Sequence, residues 1–188
     1  MNIDFTKIDK SWTLFLDRDG VINVEKKGTY VLKVNGFVFY DGVQTAMQKL
    51  SEIFGLIFIA TNQRGVSRGS MTLEDLHDIH AYMTEELHKS SGRIDKIYFC
   101  ADLHDESPNR KPNPGMALQA KKDFPQIDFS KSIMVGNTLS DMQFARNAGM
   151  HAIFIASTEP EISFPHALID ARFNSLAEFV NALSLTKN

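Results

Sequence analysis

Five short, predominantly apolar runs punctuate the chain, at 12–16, 56–60, 94–100, 133–135 and 152–156, rich in β-branched and aromatic side chains. None alternates apolar with polar, so each reads as a strand buried on both faces. Between them the period changes to that of a helix. Val43, Ala46, Met47, Leu50 and Phe54 follow Gly42; Leu73, Leu76, Ile79, Met83 and Leu87 follow Thr72, a natural N-cap. Met116, Leu118 and Ala120 follow Pro114 at a first turn, and Leu139, Met142, Ala145 and Arg146 run up to a stop at Gly149. "SLAEFVNAL" closes the chain as a further helix. Strand and helix in alternation imply right-handed crossovers and a parallel sheet covered on both faces. One long stretch, 20–40, fits neither period and is either functional or a small hairpin; Asn35-Gly36 between Val34 and Phe37 is its best turn signal.

With 188 residues, 43% hydrophobic and 23% charged, the chain is expected to form one domain over 1–188. A net charge of −3 gives no basic surface for nucleic acid. No apolar run approaches the length of a membrane span, and the first twelve residues lack a signal-peptide core. A lone cysteine, Cys100, rules out an internal disulfide. These features point to a cytoplasmic protein, expected to act as a monomer, with neither nucleic acid nor membrane as partner.

In open parallel sheets, ligands sit beyond the carboxyl ends of the strands. The first run ends in Asp17 and Asp19 ("FLDRDG"), the second in Thr61 and Asn62 ("TNQRG"); the third leads to Arg110 and Lys111 ("RKPNPGM"), and the fourth to Asn137 and Asp141 ("GNTLSD"). Such a set can hold a phosphate and a divalent cation. Phosphate esters repel anionic nucleophiles, so catalysis needs charge neutralisation and in-line positioning, and Mg²⁺ takes oxygen ligands in an octahedron. Asp17 reads as a nucleophile forming an aspartyl-phosphate. Asp19 reads as the acid and base, kept protonated at rest by its anionic neighbour. Thr61 and Lys111 read as ligands of the transferring phosphoryl group.

At these motifs the sequence resembles the haloacid dehalogenase superfamily of phosphohydrolases, and within it the branch of heptose bisphosphate and histidinol phosphatases. "DRDGVIN", "TNQRGVSRG", "RKPNPGM" and "MVGNTLSDMQFARNAG" match four motifs in order, and "FVFYDGV" and Gly28 to Val31 extend the match. The resemblance implies a Rossmann-like three-layer α/β sandwich without a cap, carrying an extended loop after the first strand. It also implies a Mg²⁺-dependent phosphomonoesterase acting on a small phosphorylated metabolite, such as a sugar bisphosphate or histidinol phosphate. By carry-over, Asp17, Asp19, Asn137 and Asp141 stand at the metal, and Glu25, Asn62, Gln63, Arg64 and Arg110 at the substrate. Three positions depart from the family. Asn137 replaces a metal-binding Asp, Arg64 replaces a small residue, and a zinc loop is reduced to Cys100 and a displaced His104, so no zinc is expected.

Other features have plainer readings. His77, His80 and His88 read as a solvated helix face, Cys100 as a packed thiol, and Trp12 and the fourteen phenylalanines as core. Tyr30 reads equally as flap packing or substrate contact. A phospho-accepting receiver domain is the alternative of another class, but its acid pair is adjacent and it lacks a flap. A phosphate-binding homologue disabled by Asn137 is the other.

Overall fold

All five apolar runs become strands, and a sixth joins them, in the computed structural model, which describes residues 3–26 and 28–186. Strands β1 (Thr13–Leu16), β2 (Leu56–Asn62), β3 (Lys96–Cys100), β4 (Ser132–Gly136), β5 (His151–Ile155) and β6 (Ala171–Phe173) form one sheet in the order β3-β2-β1-β4-β5-β6. Every pairing is parallel. The apolar runs are continuous because both faces are covered. Leu14 and Leu16 of β1 face one core with Ile57, Ile59, Ile133 and Val135, while Phe15 faces the other with Phe58 and Met134. Each such side chain contributes about 1.5–3 kcal/mol when fully removed from water.

Helices α1 (Val43–Ile53), α2 (Leu73–Lys89) and α5 (Leu176–Leu185) bury their apolar stripes in the first core; α3 (Gly115–Asp123) and α4 (Leu139–Ala148) bury theirs in the second. The N-termini of α2 and α4 are closed by capping boxes, Thr72 with Asp75 and Thr138 with Asp141. The C-terminus of α4 ends on Gly149 in the left-handed region, as its position predicted.

Two expectations change. The outer strands β3 and β6 are only partly buried, since each has one neighbour; β6 is three half-buried residues, too short to show in the hydrophobic pattern. Residues 20–40 do pair antiparallel, but at their base: Val24 N–H donates to Val38 O at 2.8 Å and Tyr40 N–H to Ile22 O at 3.1 Å. Asn35-Gly36 forms a single 3₁₀ turn, not a hairpin tip.

Among the described residues no helix is long and apolar enough to cross a membrane.

Candidate active site

Central strands β2, β1 and β4 end side by side, and the register carries Asp17 directly past Leu16, with its N–H donating to Val135 O at 2.9 Å. Above these ends lies a cavity of about 330 Å³. Asp17, Asp19, Thr61, Lys111, Asn137 and Asp141 line its floor, Arg110 and Ser140 its side, and Glu25, Lys26, Thr29, Tyr30 and Val31 its roof. Tyr30 therefore has both of its expected roles open: it lines the cavity, and its hydroxyl accepts from Arg68 Nη1 at 2.7 Å.

Lys111 is 3% exposed despite its place in a loop beside proline. Its Nζ lies 2.9 Å from Asp17 Oδ1 and 2.5 Å from Asp141 Oδ1. Burial disfavours the ammonium, yet Asp141 and Asp17 together hold its pKa above the usual lysine value. Asp17 is pushed up to about 7, chiefly by burial and further by the charges of Asp141 and Asp19, while Lys111 opposes the rise.

Asp19 behaves opposite to its expected state. Burial pushes its carboxyl up, but Arg18, Asn23 and Gln63 overcome that and hold it below the usual carboxylate range. Arg18, fully buried, turns back so that Nη2 forks onto Asp19 at 3.0 and 2.8 Å; Asn23 Nδ2 donates to Oδ1 and Gln63 Nε2 to Oδ2, each at 2.9 Å. These four hydrogen bonds favour the ionised carboxylate, whereas the sequence pattern predicted a protonated one.

Metal chemistry can be tested against this geometry. Asn137 Nδ2 donates to Thr158 Oγ1 at 2.7 Å, which leaves Oδ1 buried and without a hydrogen-bond partner. Such an orphaned oxygen is what an oxygen-seeking cation would satisfy. The approach depends on Gly20, at φ +86°, where an added Cβ would lie 2.1 Å from Asn137 Nδ2. Asp17 and Asn137 fit Mg²⁺. The other two expected ligands do not offer free carboxylates. Asp141 gives Oδ1 to Lys111 and Oδ2 to Asn137 N–H, Thr138 N–H and the Thr138 hydroxyl, at 3.2, 3.1 and 2.8 Å. It orients Lys111 and caps α4. The carboxylate of Asp19 is spent on Arg18, Asn23 and Gln63, which leaves its main-chain carbonyl. Among the described residues no group of three or more His, Cys, Asp or Glu could hold a metal ion.

Three expected substrate contacts are also re-assigned. Asn62 lines the cavity, but its amide is engaged with the backbone of Lys111. Gln63 is 1% exposed and bridges Asp19 to the Thr61 hydroxyl at 2.9 Å from Nε2, leaving the Thr61 proton to donate. Arg64 turns to Asp105, which also accepts from Arg110 Nε at 3.1 Å. Glu25 and Arg110 do line the cavity. His80, expected in solvent, is 6% exposed, with Nε2 3.2 Å from Arg18 Nη1. Its signal was present: it continues the stripe of Leu76, Ile79 and Met83 at a core position of α2.

A family model of HAD-hydrolase-like proteins matches residues 108–170, the segment holding Lys111, Asn137 and Asp141. D-glycero-alpha-D-manno-heptose-1,7-bisphosphate 7-phosphatase of Campylobacter jejuni is 42% identical over 150 residues, covering 80% of this chain and 85% of that protein. The chain belongs to the haloacid dehalogenase superfamily, among its heptose-bisphosphate phosphatases. D-glycero-beta-D-manno-heptose-1,7-bisphosphate 7-phosphatase of Yersinia pestis is 35% identical over 90% of this chain and 94% of its own length. The solved D,D-heptose 1,7-bisphosphate phosphatase of B. bronchiseptica, complexed with magnesium and phosphate, matches with a TM-score of 0.82 at 26% identity, over 93% of this chain and 98% of that one. The chain is accordingly a phosphatase with the α/β fold that its motifs implied.

Proposed function

We propose that this phosphatase removes a phosphate from a D-glycero-D-manno-heptose 1,7-bisphosphate, with Mg²⁺, through an aspartyl-phosphate on Asp17. The observation that carries the chemistry is Asp17 at the end of the central strand, 2.9 Å from a buried lysine and lining the same cavity as Asn137, whose Oδ1 lacks a partner. The relatives carry the substrate class, and both anomers occur among their names.

Asp17, Asn137 Oδ1 and the main-chain carbonyl of Asp19 would hold the cation, which supplies charge neutralisation for the phosphate dianion and keeps Asp17 ionised. Lys111 and the Thr61 hydroxyl hold the transferring phosphoryl group. An Asp17 oxygen forms the new bond to phosphorus as the ester O–P bond breaks. The arriving dianion disfavours the charge on Asp19, which takes up a proton and passes it to the leaving alkoxide. Asp19, again a carboxylate, then takes a proton from the water that attacks phosphorus and frees Asp17. Arg110 and the roof residues Glu25 and Lys26 face the sugar.

One sheet with a core on each face supports reading 1–188 as one phosphatase domain, and we propose a monomer working in the cytoplasm, without bound zinc. The test is phosphate release from both anomers of the heptose bisphosphate, from sugar monophosphates and from histidinol phosphate, with and without Mg²⁺. Clear preference for a heptose bisphosphate, dependent on Mg²⁺, is expected; preference for histidinol phosphate would overturn the substrate.

A further inference from the structure

Arg18 is the largest fully buried side chain among the described residues, and it is a cation. Nη2 is matched by Asp19. Nη1 is matched by a residue 62 positions away, His80, at 3.2 Å. A guanidinium can only donate, so Nε2 of His80 accepts and the imidazole proton sits on Nδ1. The ring is packed on a further side, 5.9 Å from the Phe99 ring of β3 and tilted to it by 60°. Facing charges are Arg18, Asp19 and His77; burial and Arg18 push the imidazole down to about 3, so a neutral acceptor is what Arg18 meets.

We propose that His80 is a positioning residue for phosphate ester hydrolysis, acting through Arg18 to hold the Asp19 carboxylate in its working orientation. This rests on Asp19 being the carboxyl that moves the proton. Asp19 follows Arg18 directly, so the fork closes a tight local ring that has no rigidity of its own. What makes it rigid is the second anchor, supplied by a long, capped helix. The same fork sets the plane in which Gln63 and Asn23 meet the two Asp19 oxygens. Loss of the His80 acceptor strands a buried N–H of Arg18, whose Nε already lacks a partner, and frees the guanidinium to turn. A carboxyl displaced by a fraction of an ångström from the leaving oxygen loses rate without losing substrate affinity.

The experiment compares His80→Leu, which removes the acceptor, with His80→Gln, whose Oε1 can reach Arg18, in wild-type and Asp19→Asn backgrounds. It uses whichever phosphomonoester the wild type turns over best, at saturating Mg²⁺, with activities corrected for folded fraction by thermal melting and circular dichroism. His80→Leu is expected to lower kcat about tenfold to a hundredfold with little change in KM, His80→Gln to restore most of it, and His80→Leu to have no further effect once Asp19 is Asn. Should His80→Leu fail to fold, His80→Asn, too short to reach Nη1, takes its place with the same expectation. A kcat within about a factor of two of wild type, or an equal loss in both backgrounds, would overturn the inference. If the wild type releases phosphate from nothing offered, the hydrolytic mechanism itself falls, and the two failures are told apart by that control.

Discussion

Asn62 and Lys111 exchange two hydrogen bonds across 49 positions of sequence: Asn62 Nδ2 donates to Lys111 O at 3.1 Å, and Lys111 N–H donates to Asn62 Oδ1 at 3.0 Å. The side-chain amide stands in for a neighbouring strand and fixes the backbone from which Lys111 reaches Asp17. Asn62→Ala leaves both backbone groups unpaired, at about 1–3 kcal/mol each where water cannot enter. The expected outcome is a lower melting temperature together with a KM for phosphate esters raised about tenfold, read by steady-state kinetics. Asn62→Asp, which keeps the acceptor, should fall between.

Asp17→Asn is expected to abolish turnover, because an amide is not a competent nucleophile here. Asp19→Asn should leave metal affinity nearly intact but slow both chemical steps by about 10²-fold or more. Near-normal turnover of Asp17→Asn on the best substrate would rule out the aspartyl-phosphate.

Asn137→Asp adds a negative charge without adding volume, so the close packing against Gly20 is kept. At contact distance the added attraction for a cation is about 1–4 kcal/mol before desolvation is subtracted. The variant should saturate with Mg²⁺ at about one-tenth of the wild-type concentration, and Asp141→Asn should instead raise KM for substrate by loosening Lys111. Identical Mg²⁺ titrations for wild type and Asn137→Asp would remove Asn137 from the metal.

Cys100 ends β3 with Sγ 3.6 Å from Asp102 Oδ2 and 3.8 Å from Ser107 Oγ, and Ser107 also donates to Asp102. These contacts organise the loop with its own hydrogen bonds. Elemental analysis of purified protein should find no stoichiometric zinc; one zinc per chain, lost in Cys100→Ser, would contradict this.

Asp170 is held by Arg146 through two bonds of 2.9 Å and by the Ala152 N–H at 2.8 Å. Burial alone would push its carboxyl up, but His151, Arg146 and the Ala152 amide keep it well below the usual range. A carboxyl depressed in the folded state stabilises at pH above its unfolded value of 3.8, and that stability drains away as the pH falls below it. Wild-type stability should therefore drop steeply below about pH 4, whereas Asp170→Asn should lack that limb and be less stable near neutrality by about 3–5 kcal/mol, the cost of stranding Arg146. Chemical denaturation across pH measures both.

The central strands and the helices were readable because burial on both faces leaves an uninterrupted apolar signature, and their chemistry was readable because it follows each strand directly. β6 escaped because three half-buried edge residues leave no signature. The surroundings of Asp19 escaped for another reason: its carboxylate is held by Arg18 turned back on it and by Gln63, 44 positions away, and no local pattern links those side chains. Asn62, Gln63 and Arg64 are consecutive in sequence yet serve Lys111, Asp19 and Asp105 respectively, since each side chain leaves the end of β2 in a different direction.

Thr61 stands near the end of β2, and Asp17 and Asn137 directly follow β1 and β4; the spacing of these three adjacent strands, about 4.8 Å, is set by backbone hydrogen bonding and not by any side chain. The reacting centre thus has the dimensions of the sheet, while its roof hangs from a loop tethered at 22–24 and 38–40. The two halves of the site can change independently. Insertions, deletions and exchanges between 25 and 37 can re-tailor which sugar is admitted, while the phosphoryl group still meets the same fixed gauge beneath.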